Sequence, residues 1–391
     1  MFTRRAAVSL IALSASLAAT GYAAAEDTVK IGLILPMSGQ QASTGIQSLA
    51  GAKLWIAQHG DTVAGKKVEL IVKDDAGVAD QTKRMAQELI VNDKVAFLGG
   101  FGLTPLALAV SPLITQAKVP AVIFTAATSM ITETSPYFVR AGRTMSQITN
   151  PIADWAAKNN IKTVVTLVSD YGPGLDAEKF FKARFEEAGG KVVDSLRAPL
   201  ASPEFAPFLQ KAKDDKPDAL FLFVPSGQGA TLMKQVNDRG FKEAGIKVIA
   251  TGDVTDDDLL PKMSDDVLGM ITGYDYSADH DSPENKQFVE AFEKANPSLR
   301  PNMMAVAAYD GLGYMYKALE DTKGDTSGPK LMDAMKTISM TSPRGPIKVD
   351  PNTRETIANQ YIRKVEKKNG QLYNVEFATV PAVTDTTHTK K

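Results

Sequence analysis

Cysteine is absent from this chain of 391 residues, and histidine occurs only three times. The first absence removes disulfides, thiolate nucleophiles, zinc–cysteine sites and iron–sulfur clusters together. Charge of one sign is not in excess either, since 44 Lys and Arg stand against 45 Asp and Glu. A chain so balanced has no field to attract a polyelectrolyte, so no nucleic-acid partner is expected. Past residue 25 no apolar run approaches the roughly 20 residues that a spanning helix needs.

What is present is an ordinary globular composition, 44% hydrophobic and 23% charged, in a chain long enough for two lobes. Residues 1–25 read as an export signal: Arg4 and Arg5 precede an apolar run over 6–19, and Ala23-Ala24-Ala25 supplies small residues for cleavage. The run is too short to anchor, so the mature chain is expected to begin near Glu26, outside the cytoplasm. Ala6 and Ala7 follow Thr3-Arg4-Arg5 where a twin-arginine signal carries bulkier residues, which favours the Sec route.

Apolar runs of strand length lie at 29–35, 68–73, 95–99, 121–124, 163–168, 192–196, 219–224, 248–251 and 270–274. Between them, helical periodicity marks 45–58, 80–92, 147–159, 177–188, 205–213, 229–239, 283–295 and 304–321. Alternation sustained this long predicts an α/β fold with doubly wound parallel sheets. In such sheets ligands bind beyond the carboxyl ends of the strands. The loops leaving those ends are small and polar, among them Pro36-Met37-Ser38-Gly39, Phe101-Gly102-Leu103-Thr104, Thr125-Ala126-Ala127-Thr128-Ser129, Ser169-Asp170-Tyr171-Gly172, Pro225-Ser226-Gly227-Gln228-Gly229 and Gly252-Asp253-Val254-Thr255. Hydroxyls and glycines at helix starts suit a carboxylate ligand, although the same residues also cap helices with no ligand present.

Catalytic chemistry finds no constellation. The stretch 60–66 imitates a phosphate loop, but Lys67 replaces the Ser or Thr and the segment reads as a turn leading into a strand. His59, His280 and His388 are scattered like surface residues, without metal spacing. The loop 225–229 lacks a nucleophile elbow. Asp256-Asp257-Asp258 reads as the solvated first turn of a helix, where the dipole favours acids.

The cleaved signal, Val-Lys-Ile-Gly-Leu-Ile-Leu-Pro-Met-Ser-Gly at 29–39, Asp74-Asp75, Asn92-Asp93-Lys94-Val95, Thr125-Ala126-Ala127-Thr128 and Asp170-Tyr171-Gly172-Pro173-Gly174 together resemble the leucine/isoleucine/valine-binding proteins. These are type I periplasmic solute-binding components of ABC importers. The resemblance implies two α/β lobes, 26–144 plus 277–346 and 145–276 plus 347–391, joined by three crossovers near Arg143 to Ser146, Tyr276 to Ala278 and Pro346. It implies a periplasmic, monomeric protein that closes on a small molecule by hinge motion, delivers it to an inner-membrane permease, and needs no cofactor or metal. Carried onto this chain, Thr104 and the Ala126-Ala127-Thr128 turn would hold a ligand carboxylate, Asp253 would accept from an α-amino group, and Tyr171 would cover the ligand's side. Thr44 and Ser226 stand where amino-acid binders often present aromatic rings. Phe101 and Leu103 would supply replacement wall, or, for Phe101, core packing.

The expected ligand is therefore a branched-chain or other neutral amino acid, with an aromatic carboxylate or amide as the alternative. A secreted hydrolase would need a nucleophile and base that the sequence does not show. A sensory ligand-binding domain would need a separate signalling partner. The Thr- and Lys-rich tail from Pro381 to Lys391 reads as a frayed terminus.

Overall fold

The computed structural model describes residues 28–201 and 203–388; the export signal read over 1–25 lies outside the described residues. Strands β1 (Thr28–Leu35), β2 (Thr62–Val63), β3 (Lys66–Asp74), β4 (Phe97–Gly100), β5 (Ala121–Ile123) and β6 (Phe138–Arg140) form one sheet in the order β2-β3-β1-β4-β5-β6. All its pairings are parallel except β2 with β3. That exception is the stretch that imitates a phosphate loop: Ala64 and Gly65 both take positive φ, as a tight hairpin turn requires.

The second sheet contains β7 (Thr163–Ser169), β8 (Lys191–Ala198), β9 (Ala219–Phe223), β10 (Lys247–Thr251), β11 (Ile271–Tyr274), β12 (Ser339–Ser342), β13 (Gly345–Val349), β14 (Thr356–Lys368) and β15 (Gln371–Val383). Its order is β12-β13-β14-β11-β10-β9-β7-β8, with β15 added on β14. The strands from β7 to β11 pair in parallel, as their continuous apolar runs predict. From β14 onward every pairing is antiparallel. Strands β14 and β15 are 13 residues each, and their far ends are largely exposed.

Helices α1 (Ala42–His59), α2 (Ala79–Glu88), α3 (Thr104–Ala117), α4 (Met145–Lys158), α5 (Gly172–Glu187), α6 (Ala206–Asp214), α7 (Gly229–Asp238), α8 (Pro283–Ala295), α9 (Met303–Asp321) and α10 (Gly328–Met335) fill the connections. Sequence periodicity marks no helix at α3. Pro105 and Pro112 mask it, yet Pro105 sits in the permissive first turn and the helix ends where Lys118 turns left-handed. Helix α4 opens with a reciprocal capping box between Thr144 and Gln147. Helices α1 and α9 cross so closely that a Cβ on Gly51 would stand 2.0 Å from the Ala305 carbonyl oxygen. Only glycine permits that approach.

The chain leaves the first sheet after β6 and enters the second at β7; between β11 and β12, both of the second sheet, it returns to the first lobe as α8 and α9, which pack on α1, and Pro346 lies within β13. Arg344, fully buried, ties together the segments that follow β6 and β11 and helix α9: Nη1 donates to Asp275 Oδ2 at 2.6 Å, Nε to Asp310 Oδ2 at 3.0 Å on α9, and Nη2 to the Ala141 carbonyl at 2.5 Å.

Over its described residues, 381–388, the tail departs from its expected fraying. Val383 still pairs with Ala358, and its carbonyl accepts from Gln147 Nε2 at 2.9 Å. Asp385 accepts from Ser146 at 3.0 Å, and His388 lies 3.1 Å from Glu133 and 3.4 Å from Glu355. Hydrogen bonds contributed by distant elements, invisible to composition, hold this end in place.

Candidate functional site

A cavity of about 30 Å³ lies between the lobes, lined by Gln41, Thr44, Gly102, Leu103, Thr104, Thr125, Ala126, Ala127, Arg143, Met145, Tyr171, Pro173, Phe223, Pro225, Ser226, Asp253 and Met304. Its walls come from the carboxyl ends of β1, β4, β5, β7, β9 and β10, as strand–loop logic requires. A void this small holds about one water, so a larger ligand needs the lobes to part.

On the first lobe, Thr104 is the opening residue of α3, and its hydroxyl donates to the Thr128 hydroxyl at 3.0 Å. The neighbouring turn is held from behind by the fully buried Arg140. This arginine donates to the Ala126 and Thr128 carbonyls and to both Glu355 oxygens. The Ala127 carbonyl accepts from the Met145 N–H at 3.0 Å. Because the turn's carbonyls are engaged inside the protein, donors rather than acceptors are what it can present to an anion.

From the other lobe, Gly172 begins α5 and approaches so near that a Cβ there would stand 2.8 Å from Thr128 Oγ1 and 3.4 Å from Thr104 Cγ2. Tyr171 stacks on Phe223 with centroids 6.1 Å apart and planes 18° apart. Burial pushes the Tyr171 hydroxyl above its ordinary pKa, which keeps it neutral. Ser43 of α1 donates to Asp258 across the junction.

The charged end of the cavity is lined by the buried Arg143 and Asp253, both bonded to the buried Tyr274, which does not itself line it. Arg143 Nη2 donates to Asp253 Oδ1 at 2.6 Å and also meets the Tyr274 hydroxyl. Tyr274 donates to the same Asp253 oxygen at 2.8 Å, while Thr251 donates to Oδ2 at 3.1 Å. The guanidinium lies 4.4 Å over the Tyr274 ring. Burial lowers the Arg143 pKa, but Tyr274, Asp253, Asp275 and Asp256 outweigh burial and leave it raised. Among the described residues Arg143 Nη1 and Nε are buried without a hydrogen-bond partner, Nε being 3.8 Å from Asp275 Oδ1.

Of the residues expected at the site, Thr44, Leu103, Thr104, Ala126, Ala127, Tyr171, Ser226 and Asp253 line the cavity, and Thr128 touches it through Thr104. Phe101 does not line it. Its ring is buried in the first-lobe core, edge-on to Phe138 at 6.2 Å, on a backbone with φ of 66° that is rare for a bulky residue. Arg143 was legible only as part of a crossover, and Gln41, Met145, Phe223 and Met304 carried no local signal.

Two other readings are corrected. Asp256, Asp257 and Asp258 are buried and follow a short 3₁₀ turn instead of opening a solvated helix. Asp257 accepts from Asn374 at 2.9 Å, and burial pushes its pKa up to about 6. Nor are all the histidines plain surface residues. His280 lies 2.7 Å from Glu376, and His388 meets Glu133 and Glu355.

Residues 28–371 match the family model described as "Periplasmic binding protein". The chain is 42% identical to Leu/Ile/Val-binding protein homolog 6 of Brucella melitensis biotype 1, over 96% of this chain and 97% of that one. It is similar to the solute-binding protein of an ABC transporter from Rhodopseudomonas palustris BisB5, solved in complex with 3,4-dihydroxybenzoic acid. That likeness has a TM-score of 0.90 and 57% identity, covering 92% of this chain and 99% of the other. A second solute-binding protein from R. palustris, solved with 4-hydroxybenzoate, superimposes with a TM-score of 0.88 at 43% identity, over 91% and 98% of the two chains.

Proposed function

We propose that this chain, which belongs to the periplasmic binding protein family and is the solute-binding component of an ABC transporter, captures an aromatic carboxylate and not an amino acid. One observation carries the choice. Asp253, the sole acid among the cavity-lining residues, already receives Arg143 and Tyr274 on one oxygen and Thr251 on the other. An α-ammonium would have to compete with a buried guanidinium for that carboxylate, and like charges in a closed cleft repel.

The remaining wall suits a flat ring. Tyr171 and Phe223 stack together, and Pro173, Pro225, Leu103, Met145 and Met304 complete an apolar enclosure. At the other end the Thr104 and Thr128 hydroxyls and the Ala127 and Thr128 N–H groups would take the carboxylate, the Ala126 N–H being engaged by the Phe101 carbonyl at 3.0 Å. Both Rhodopseudomonas palustris relatives were solved with hydroxylated benzoates, which supports the same ligand class. The lobes would open for entry and close on the ring, presenting the loaded form to an inner-membrane permease.

Thermal denaturation with added benzoates and with L-leucine tests this reading. Ligand at 100 times its Kd stabilises the folded state by about 2.7 kcal/mol, so a benzoate is expected to raise the midpoint by several degrees while L-leucine leaves it in place. The opposite pattern would overturn the proposal.

A further inference from the structure

We infer that Arg143, Asp253 and Tyr274 form a subsite for a hydroxyl group on the ring, making the protein selective for hydroxylated over unsubstituted aromatic acids. The inference rests on the aromatic-carboxylate reading and adds the position that sets its specificity. Arg143 is buried, lines the cavity, and has Nη1 without any acceptor among the described residues. Its Nη2 is committed to Asp253 and Tyr274. The site therefore presents an unsatisfied donor beside a carboxylate that can still accept.

Three kinds of ligand group can be weighed against that pair. A carboxylate only accepts, so Arg143 would welcome it but Asp253 would repel it. An ammonium only donates, so Asp253 would welcome it but Arg143 would repel it. A neutral hydroxyl accepts from Arg143 Nη1 and donates to Asp253 at once, satisfying both with no charge mismatch. Leaving a buried donor unpaired is costly, so a ring that lacks the hydroxyl is penalised.

The placement agrees with the rest of the cleft. The Thr104 and Thr128 hydroxyls come from the first sheet's loops, whereas Asp253 and Tyr274 come from the second sheet and Arg143 from a passage between them. Tyr171 lines the same cavity as Asp253 and Arg143, and the adjacent Gly172 abuts Thr104 and Thr128. One ring alongside Tyr171 would thus reach both polar ends.

Calorimetric titration of the mature protein with benzoate, 4-methylbenzoate and 4-hydroxybenzoate tests the subsite. The expected order places 4-hydroxybenzoate about tenfold or more tighter than either analogue. In Tyr274→Phe and Arg143→Met the affinity for 4-hydroxybenzoate should fall further than that for benzoate, so the ratio drops towards one. In Thr104→Val both should weaken together and the ratio should survive. Equal wild-type affinity for benzoate and 4-hydroxybenzoate overturns the subsite while leaving the aromatic reading standing. A loss of benzoate in Arg143→Met as large as that of 4-hydroxybenzoate also overturns it, by placing the carboxylate on the arginine. Failure of all three acids to bind overturns the aromatic reading and the subsite with it. The wild-type ratio needs no variant, so the test stands even if Arg143→Met does not fold.

Discussion

Arg143 Nη2 lies 2.6 Å from Asp253 Oδ1, with 3% and 5% of the two side chains exposed. The pair neutralises itself inside the cleft, and this turns an apparent amino-group acceptor into half of an ion pair. Its partners lie 110 residues apart in the chain.

Asp253→Ala should cost stability as well as binding, because it removes one partner of a buried pair. Such breakage is worth about 3–5 kcal/mol, readable as a fall in the urea or thermal midpoint without ligand. Asp253→Leu combined with Arg143→Met should recover part of the loss, since neither charge is then stranded. A single variant as stable as the wild type would show that water reaches the pair.

Gly172→Ala should weaken ligand binding while leaving the ligand-free midpoint nearly unchanged. The added Cβ would stand 2.8 Å from Thr128 Oγ1, and the contact joins opposite lobes, so it obstructs closure and not folding. A loss of about tenfold in affinity corresponds to roughly 1.4 kcal/mol, a modest charge for one obstructed contact. Unchanged affinity in titration would mean that the lobes can shift to accommodate the methyl.

Arg344→Lys should be almost as damaging as Arg344→Met. The guanidinium reaches Asp275, Asp310 and the Ala141 carbonyl from one fixed fork, and an ammonium cannot serve three acceptors in those directions. A destabilisation of about 3–5 kcal/mol is expected for either change. Full stability in the lysine variant would disprove the fork's role at the passages between lobes.

The tail contact should weaken as pH rises. Glu355, 3.4 Å from Nε2, raises the His388 pKa above its ordinary 6.5, burial opposes this, and Asp385 and Glu133 add further attraction. A histidine with a raised folded-state pKa contributes stability that is complete below its unfolded value of 6.5 and is lost as pH climbs through the raised one. Protection of the 384–388 amides against hydrogen exchange, corrected for the intrinsic rate, should therefore be higher at pH 6 than at pH 9. His388→Gln should flatten that difference; if it does not, another group controls the tail.

Much of the architecture was legible locally. The run at 29–35 became β1, and 163–168 became the heart of β7, because a strand buried on both faces must be continuously apolar. Helix α3 was hidden by its prolines, and β12 and β13 by their brevity and exposed residues. The candidate site was readable as loops at strand ends, down to Thr104, Tyr171 and Asp253. Arg143 was not, since nothing in its neighbours Gly142 and Thr144 predicts a partner on β10's far loop.

By itself the sequence determined the alternation of strand and helix, the family, and which loops gather at the cleft, all of which follow from periodicity and short runs of side chains. Only the tertiary structure decided what Asp253 is free to do, where Phe101 points, and that the tail is held through His388. The reason is physical: a strand's burial pattern is written in consecutive residues, whereas the availability of a buried charge depends on groups that folding brings to it from far along the chain.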